Sequence, residues 1–188
     1  MAIVKNNIIT QGTSGMLGDQ LVFRRSGNRT IMAKPPAENN SNTVAQQAVR
    51  TTFQEAVIYA KAQLEDPATR APYDAAAASR PNVSAFNVAV ADYFKAPDIQ
   101  AVDVGNYTGQ LGDTIGITVT DDFQVHQVLV SIENTDGTVV ESGLAVQQNS
   151  AQWLYTATTN NLETVGDRIV VQAQDGPGNI TQQQAVLN

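Results

Sequence analysis

Hydrophobic positions along this chain keep three different rhythms. From Met1 to Pro36 they come in short runs, Ile3–Thr10, Leu21–Phe23 and Thr30–Ala33, with Gly12, Gly15, Gly18 and Gly27 between them. Short apolar runs between glycines predict strands joined by turns, because glycine reaches positive φ without a steric penalty. From Thr43 the spacing changes to three and four. Ala45, Ala48, Val49, Phe53, Ala56, Ala60 and Leu64 then fall on one stripe of a helix that Ser41 or Asn42 can cap. Asp66-Pro67 stops that helix and opens a second, Ala68–Ser79, whose one large side chain is Tyr73. Ser84 caps a third, Ala85–Phe94, with Phe86, Val90, Tyr93 and Phe94 as its apolar positions.

From Asp98 onward the period is two. Strands are predicted over Ile99–Val104, Thr114–Thr120, Val125–Glu133, Thr138–Val146, Gln152–Thr159, Arg168–Gln174 and Ile180–Leu187. Asp136-Gly137 supplies one turn and the stretch Asp175–Asn179 another. Seven alternating strands in about 90 residues predict an immunoglobulin-like β-sandwich. The expected fold is therefore α+β, mainly β. It has a β arm over residues 1–36, a helical segment over 37–97 with three short helices, and a seven-stranded Ig-like sandwich over 98–188.

Composition narrows the chemistry. The chain has no cysteine, which removes disulfides, thiolate metal sites and thiol nucleophiles. No apolar run approaches the 18 or so residues of a membrane-spanning helix. MAIVKNNIIT does not read as a secretory leader, so the expected location is extracellular or on a virion after non-classical release, and otherwise cytoplasmic. Charge is uneven. Residues 1–97 hold ten Lys/Arg against seven Asp/Glu, a net of +3, whereas residues 98–188 hold one against eleven, a net of −10. Such a chain can meet its own copies basic end to acidic end, although an acidic half also serves solubility alone.

Catalytic constellations are missing from the sequence. His126 is the only histidine, it lies in a predicted strand, and a structural role is its simpler reading. GTSGMLGD is glycine-rich but lacks the Lys-Ser/Thr ending of a phosphate loop. No enzyme, cofactor or small-molecule substrate is expected. Calcium is the one metal these residue types could hold. Asp121, Asp122 and Asp175 fall at turns, with Asp98 and Asn179 within reach, and Ca²⁺ prefers such oxygen ligands. Asp and Asn also favour turns for their own backbone bonding. Arg24, Arg25, Arg29 and Lys34 form a basic cluster that could meet phosphates, but no aromatic stacking platform accompanies it and the chain is acidic overall.

Two resemblances attach to particular stretches. GDTIGITVTDDFQV, WLYTAT and GDRIVVQAQDGPGN resemble bacterial Ig-like domains. GTSGMLGDQLVFRRSGNRTIMAKPP, with AFNVAVADYFKAPDI further on, resembles small proteins of Bacteroidota and their phages that couple a glycine-rich arm and a helical segment to an Ig-like end. The resemblance implies that layout and carries over no activity and no functional residue.

The arm has apolar side chains but too few to close a core, and an isolated hairpin is marginal in water. The leading expectation is a self-assembling structural subunit of a filament, tube or phage-type particle, whose arm packs on neighbouring copies. Val4, Ile8, Leu21, Val22, Phe23 and Ile31 would be the buried contacts, and Arg24, Arg25 and Arg29 would meet acidic surface. The alternatives are an Ig-like module binding a glycan or protein, and a small DNA-associated cytosolic protein.

Overall fold

The computed structural model describes residues 2–4, 10, 12–26, 29–36 and 43–187. The chain divides into two compact units, Met1–Thr51 and Thr52–Asn188. It is mixed α+β, mainly β, with three helices and three antiparallel four-stranded sheets among the described residues.

The N-terminal unit is built on one sheet. Strands β1 (Ala2–Val4), β2 (Gly15–Leu17), β3 (Leu21–Ser26) and β4 (Arg29–Ala33) lie in the order β1-β4-β3-β2. The predicted runs at Leu21 and Thr30 are strands. β2, by contrast, lies within the glycine stretch where the sequence pattern predicts turns. Three residues suffice there because Gly18, at φ +55°, makes the tight reversal into β3 and sets the register Leu17–Leu21, Met16–Val22 and Gly15–Phe23. Ile8 and Gly27 lie outside the described residues.

Helix α1 (Val44–Glu65) follows Thr43; Ser41 and Asn42, the expected caps, lie outside the described residues. The Thr43 hydroxyl accepts from the Gln46 amide, and the Gln46 side chain accepts from the Thr43 amide. This is a capping box, which satisfies two donors that the helix start would otherwise leave bare. The apolar stripe expected along α1 divides in two. Ala56 and Ala60 are buried, while Ala45, Ala48, Val49 and Phe53 are exposed. The apolar cluster of Tyr73, Val88 and Ala89 takes in Ala60 and Leu64 but nothing earlier on the stripe.

Helices α2 (Pro67–Ala78) and α3 (Ala85–Phe94) start at the predicted breakers. Asp66 caps the first through the Ala68 amide, and Ser84 caps the second through the Asn87 amide. Phe123, from the turn between two later strands, stacks on Tyr73 with ring centroids 4.1 Å apart, so the helical layer and that turn share one apolar cluster.

The remaining strands form two sheets around one core, a sandwich-like arrangement. β5 (Asp98–Asp103), β6 (Thr114–Thr120), β10 (Gln152–Thr156) and β9 (Val146–Gln147) make the first, in that order. β12 (Ile180–Val186), β11 (Arg168–Asp175), β7 (Val125–Glu133) and β8 (Val139–Leu144) make the second. Alternation buries Ile115, Ile117 and Val119 from β6 against Val128, Val130 and Ile132 from β7 and Ile169 and Val171 from β11. One predicted strand is in fact two. The run Thr138–Val146 pairs with β7 as far as Leu144; Ala145 is then buried, and Val146 pairs with Leu154 of the other sheet. Eight strands therefore occupy the region where seven were expected. The turn at Asn134–Gly137 is as predicted, with Gly137 at φ +87° and the Gly137 amide bonded to the Asn134 carbonyl.

No helix among the described residues is long and apolar enough to cross a membrane.

Candidate functional site

Two places in the molecule carry residues singled out from the sequence. The first is the N-terminal sheet. Residues directly opposite on antiparallel strands share a face. The register therefore puts Met16, Val22, Ile31 and Ala33 on one face with Arg24, and Leu17, Leu21, Phe23 and Met32 on the other with Arg25 and Thr30. Both faces are apolar. Yet no apolar side chain of β2, β3 or β4 is buried: Leu21, Val22, Phe23 and Ile31 are half-buried, and Met16 and Leu17 are 63% and 65% exposed. The one buried side chain of β2, β3 and β4 is Thr30, whose hydroxyl accepts from the Gly12 amide. Arg24, Arg25 and Arg29 are all exposed. Val4 lies on β1 opposite Thr30 in the backbone register.

The second place is an acidic cluster within the C-terminal unit. Asp92 sits on α3, Asp121 just after β6, and Asp175 at the end of β11, where the pairing with β7 is irregular. One carboxylate oxygen from each lies within 4.8 Å of the other two. Asp175 is held by its own turn: Oδ1 accepts from the Gly178 and Asn179 amides at 2.8 and 2.6 Å, and Oδ2 accepts from Asn179 Nδ2 at 2.7 Å. Asn179 Nδ2 also donates to the Tyr93 carbonyl at 3.2 Å, which ties that turn to α3. Asp92 is fully buried at 0% exposure. Its Oδ2 accepts from the Tyr73 hydroxyl at 2.7 Å and from the Tyr59 hydroxyl at 3.4 Å, while Oδ1 has no partner. Asp121 Oδ2 and Asp122 Oδ1 are likewise buried without a partner.

Electrostatics follow from that placement. Burial pushes Asp92 from the usual 3.8 up to about 6; the Tyr73 hydrogen bond opposes it, and the charges of Asp175, Asp121 and Asp122 each add a smaller upward push. Burial also raises Asp121. Burial pushes Tyr59 up to about 12 and raises Tyr73 as well, so both hydroxyls keep their protons and act as donors. Among the described residues no cation pairs with Asp92, Asp121 or Asp175. The nearby Arg80 guanidinium is used on the Asp122 carbonyl, at 2.8 Å.

This arrangement has a pH signature. A carboxyl whose pKa is raised on folding binds more protons folded than unfolded between its two pKa values, so its contribution is fully present below about 4 and is lost as pH rises through about 6. With a chelator present, lowering the pH from 7 to 5 is expected to raise the melting temperature, and Asp92→Asn is expected to flatten that rise. Asp113 and Asp136 shift the other way, held down by hydrogen bonds from Gln110 and Thr108 and from Thr138, and act only below the ordinary carboxyl range. A wild-type melting temperature that falls steadily from pH 7 to 5 would contradict this account of Asp92.

Of the acidic residues named from sequence, the structure brings Asp121 and Asp175 together and places Asn179 beside Asp175. Asp122 is adjacent but lies outside the close trio. Asp98 is exposed on β5, where its carboxylate accepts from the Gln100 side chain. Asp92 carries no turn or motif signal in the sequence. Its signal is position: it follows the buried Val88 and Ala89 by four and three residues, so it lies on the packed face of α3. His126 is exposed and lines a cleft of about 420 Å³ with Tyr59, Tyr73 and Phe123.

No protein-family model and no curated protein matches the chain. Solved structures similar to part of it include two lipoproteins. The lipoprotein from Bacteroides thetaiotaomicron is 16% identical over 48% of this chain and 76% of its own, with a TM-score of 0.26. A conjugative transposon lipoprotein from Bacteroides eggerthii is 15% identical over 47% of this chain and 92% of its own, with a TM-score of 0.24.

Proposed function

We propose that this chain is a non-enzymatic structural subunit that assembles with copies of itself through its N-terminal sheet. One observation supports the reading above the rest: strands β2, β3 and β4 are apolar on both faces, and none of their apolar side chains is buried. Water penalises such a surface by roughly 25 cal/mol per Å², and a sheet apolar on both sides gains most when it is enclosed on both sides. A second copy is the occupant that charge favours. Arg24, Arg25 and Arg29 stand exposed on the sheet, and residues 98–188 of every copy carry a net charge of −10. The contact is heterologous, so it propagates into a filament or tube unless its rotation closes it into a ring or particle shell. In this reading the sandwich is Ig-like, and the subunit works outside the cell or on a phage-type particle.

Electron microscopy of negatively stained full-length protein tests this. Regular filaments, tubes or particles are the expected result, and Phe23→Glu combined with Ile31→Glu, one change on each face, is expected to disperse them. A wild-type field of single small particles would overturn the reading.

A second reading is a module that binds a glycan. It rests on a groove of about 280 Å³ lined by Asp103, Asn106, Thr118, Gln148 and Gln152, side chains of the kind that hydrogen-bond to sugars. A monomer in solution with carbohydrate-dependent retention on a glycan surface would favour it.

A further inference from the structure

We propose that Asp92, Asp121 and Asp175 form a binding site for a divalent cation, Ca²⁺ by chemistry and size, which clamps α3 to the two turns beneath it. The inference does not depend on the assembly reading. Three carboxylates from three separate elements converge, with one oxygen of each within 4.8 Å of the others. Two oxygens bound to one Ca²⁺ at 2.3–2.6 Å can stand no more than about 5 Å apart, and every pair in the trio meets that limit. The donors are all hard oxygens, with no thiolate or imidazole among them, which favours Ca²⁺ over zinc or copper.

Convergence of acids alone would mean little. The independent observation is Asp92. This carboxylate is 0% exposed, and one of its oxygens has no hydrogen-bond partner. Burying an unpaired carboxylate oxygen is costly, and native structures almost always satisfy such groups. The other oxygen is held by Tyr73 and fixes the carboxylate in place. Asp121 Oδ2 and Asp122 Oδ1 are also buried and unsatisfied close by. Asp175 is oriented by two backbone amides and the Asn179 side chain, which supports a ligand as outer hydrogen bonds support metal ligands elsewhere. The site therefore has excess negative charge, preset ligand directions and unfilled acceptors. A cation answers all three, and waters complete its shell.

The clamp joins parts distant in sequence. Asp92 belongs to the helical layer, Asp121 to the β6–β7 turn and Asp175 to the end of β11, where the turn into β12 begins. Gly176 lies against the site; a Cβ there would come within 3.2 Å of the Tyr59 hydroxyl, so the turn already sits close beneath the helices.

The test uses full-length protein stripped with a chelator and then titrated with CaCl₂, followed by thermal melting. Terbium is the second probe, since its luminescence is sensitised by nearby tyrosines such as Tyr59 and Tyr73. The expected result is a melting temperature that rises by several degrees by about 1 mM Ca²⁺, because a ligand that binds only the folded state stabilises it by mass action. Tyrosine-sensitised terbium emission should appear and be displaced by Ca²⁺. Asp92→Asn and Asp121→Asn should each lose both responses. Asp98→Asn, at an exposed carboxylate outside the cluster, should keep them. Unchanged melting up to about 10 mM Ca²⁺, with terbium emission no greater than that of Asp92→Asn, would overturn the proposal. So would responses that survive intact in both cluster variants.

Discussion

Removing residues 1–36 is expected to turn an assembling protein into a soluble monomer. The deletion takes away all four strands of the N-terminal sheet, from Ala2 to Ala33, and with them both apolar faces. What remains includes the compact unit Thr52–Asn188, whose core is already closed by Ile115, Ile117, Val128, Val130, Ile132 and Ile169. The truncated chain should therefore fold. Each Leu, Ile, Phe or Met side chain moved from water to a buried contact contributes roughly 1.5–3 kcal/mol, and the sheet offers several of them on each face. Losing them together exceeds what exposed charge pairs can restore, since those contribute about 0–1 kcal/mol each. Sedimentation velocity at several concentrations is the measurement. One boundary at the mass of a single truncated chain is expected. A truncated protein that still polymerises would refute the arm-driven mechanism.

Ile132→Ala is expected to destabilise the C-terminal unit by about 2–5 kcal/mol, the cost of removing a buried branched side chain and leaving a cavity behind. Ile132 is fully buried on β7, directly opposite Ile169 of β11 and Glu141 of β8, at the centre of its sheet. Neighbours on both sides are locked by strand pairing, so the cavity cannot easily collapse. The loss is a large part of the ~5–15 kcal/mol by which domains are stable, and corresponds to roughly 5–20 °C in melting temperature for a domain of this size. Ile132→Val should cost only about 0.5–1.5 kcal/mol. Gln182→Ala, on an outer strand, should stay within about 0.5 kcal/mol of wild type. Thermal and urea unfolding followed by Trp153 fluorescence would check the series. An Ile132→Ala protein melting within a degree of wild type would contradict the placement of the core.

Much of this architecture can be read along the chain, and the reasons are local. α2 and α3 announce themselves through Asp66-Pro67 and Ser84, because a cap or a proline acts within three residues of itself. β6 and β7 are legible because alternation of Ile115, Ile117 and Val119, and of Val128, Val130 and Ile132, marks one buried face. Less legible are features set by distant partners. β2 is only three residues long among glycines, and what makes it a strand is pairing with β3. The crossing at Ala145 is invisible in a run of apolar residues, since leaving one sheet for the other depends on which strand lies alongside. Of the acidic trio, Asp121 and Asp175 stand out as turn residues, whereas Asp92 is hidden in a helix and its company comes from two remote turns. The exposed first half of the α1 stripe has the same lesson: periodicity states which face is apolar, not what covers it.

The mass distribution of purified full-length protein at micromolar concentration, taken by multi-angle light scattering or mass photometry, tests the central claim most directly. Assembly through the N-terminal sheet predicts species of many chains that shift toward smaller masses on dilution and disappear in the Phe23→Glu, Ile31→Glu double variant. A single species at the mass of one chain, unchanged across concentration, would contradict it.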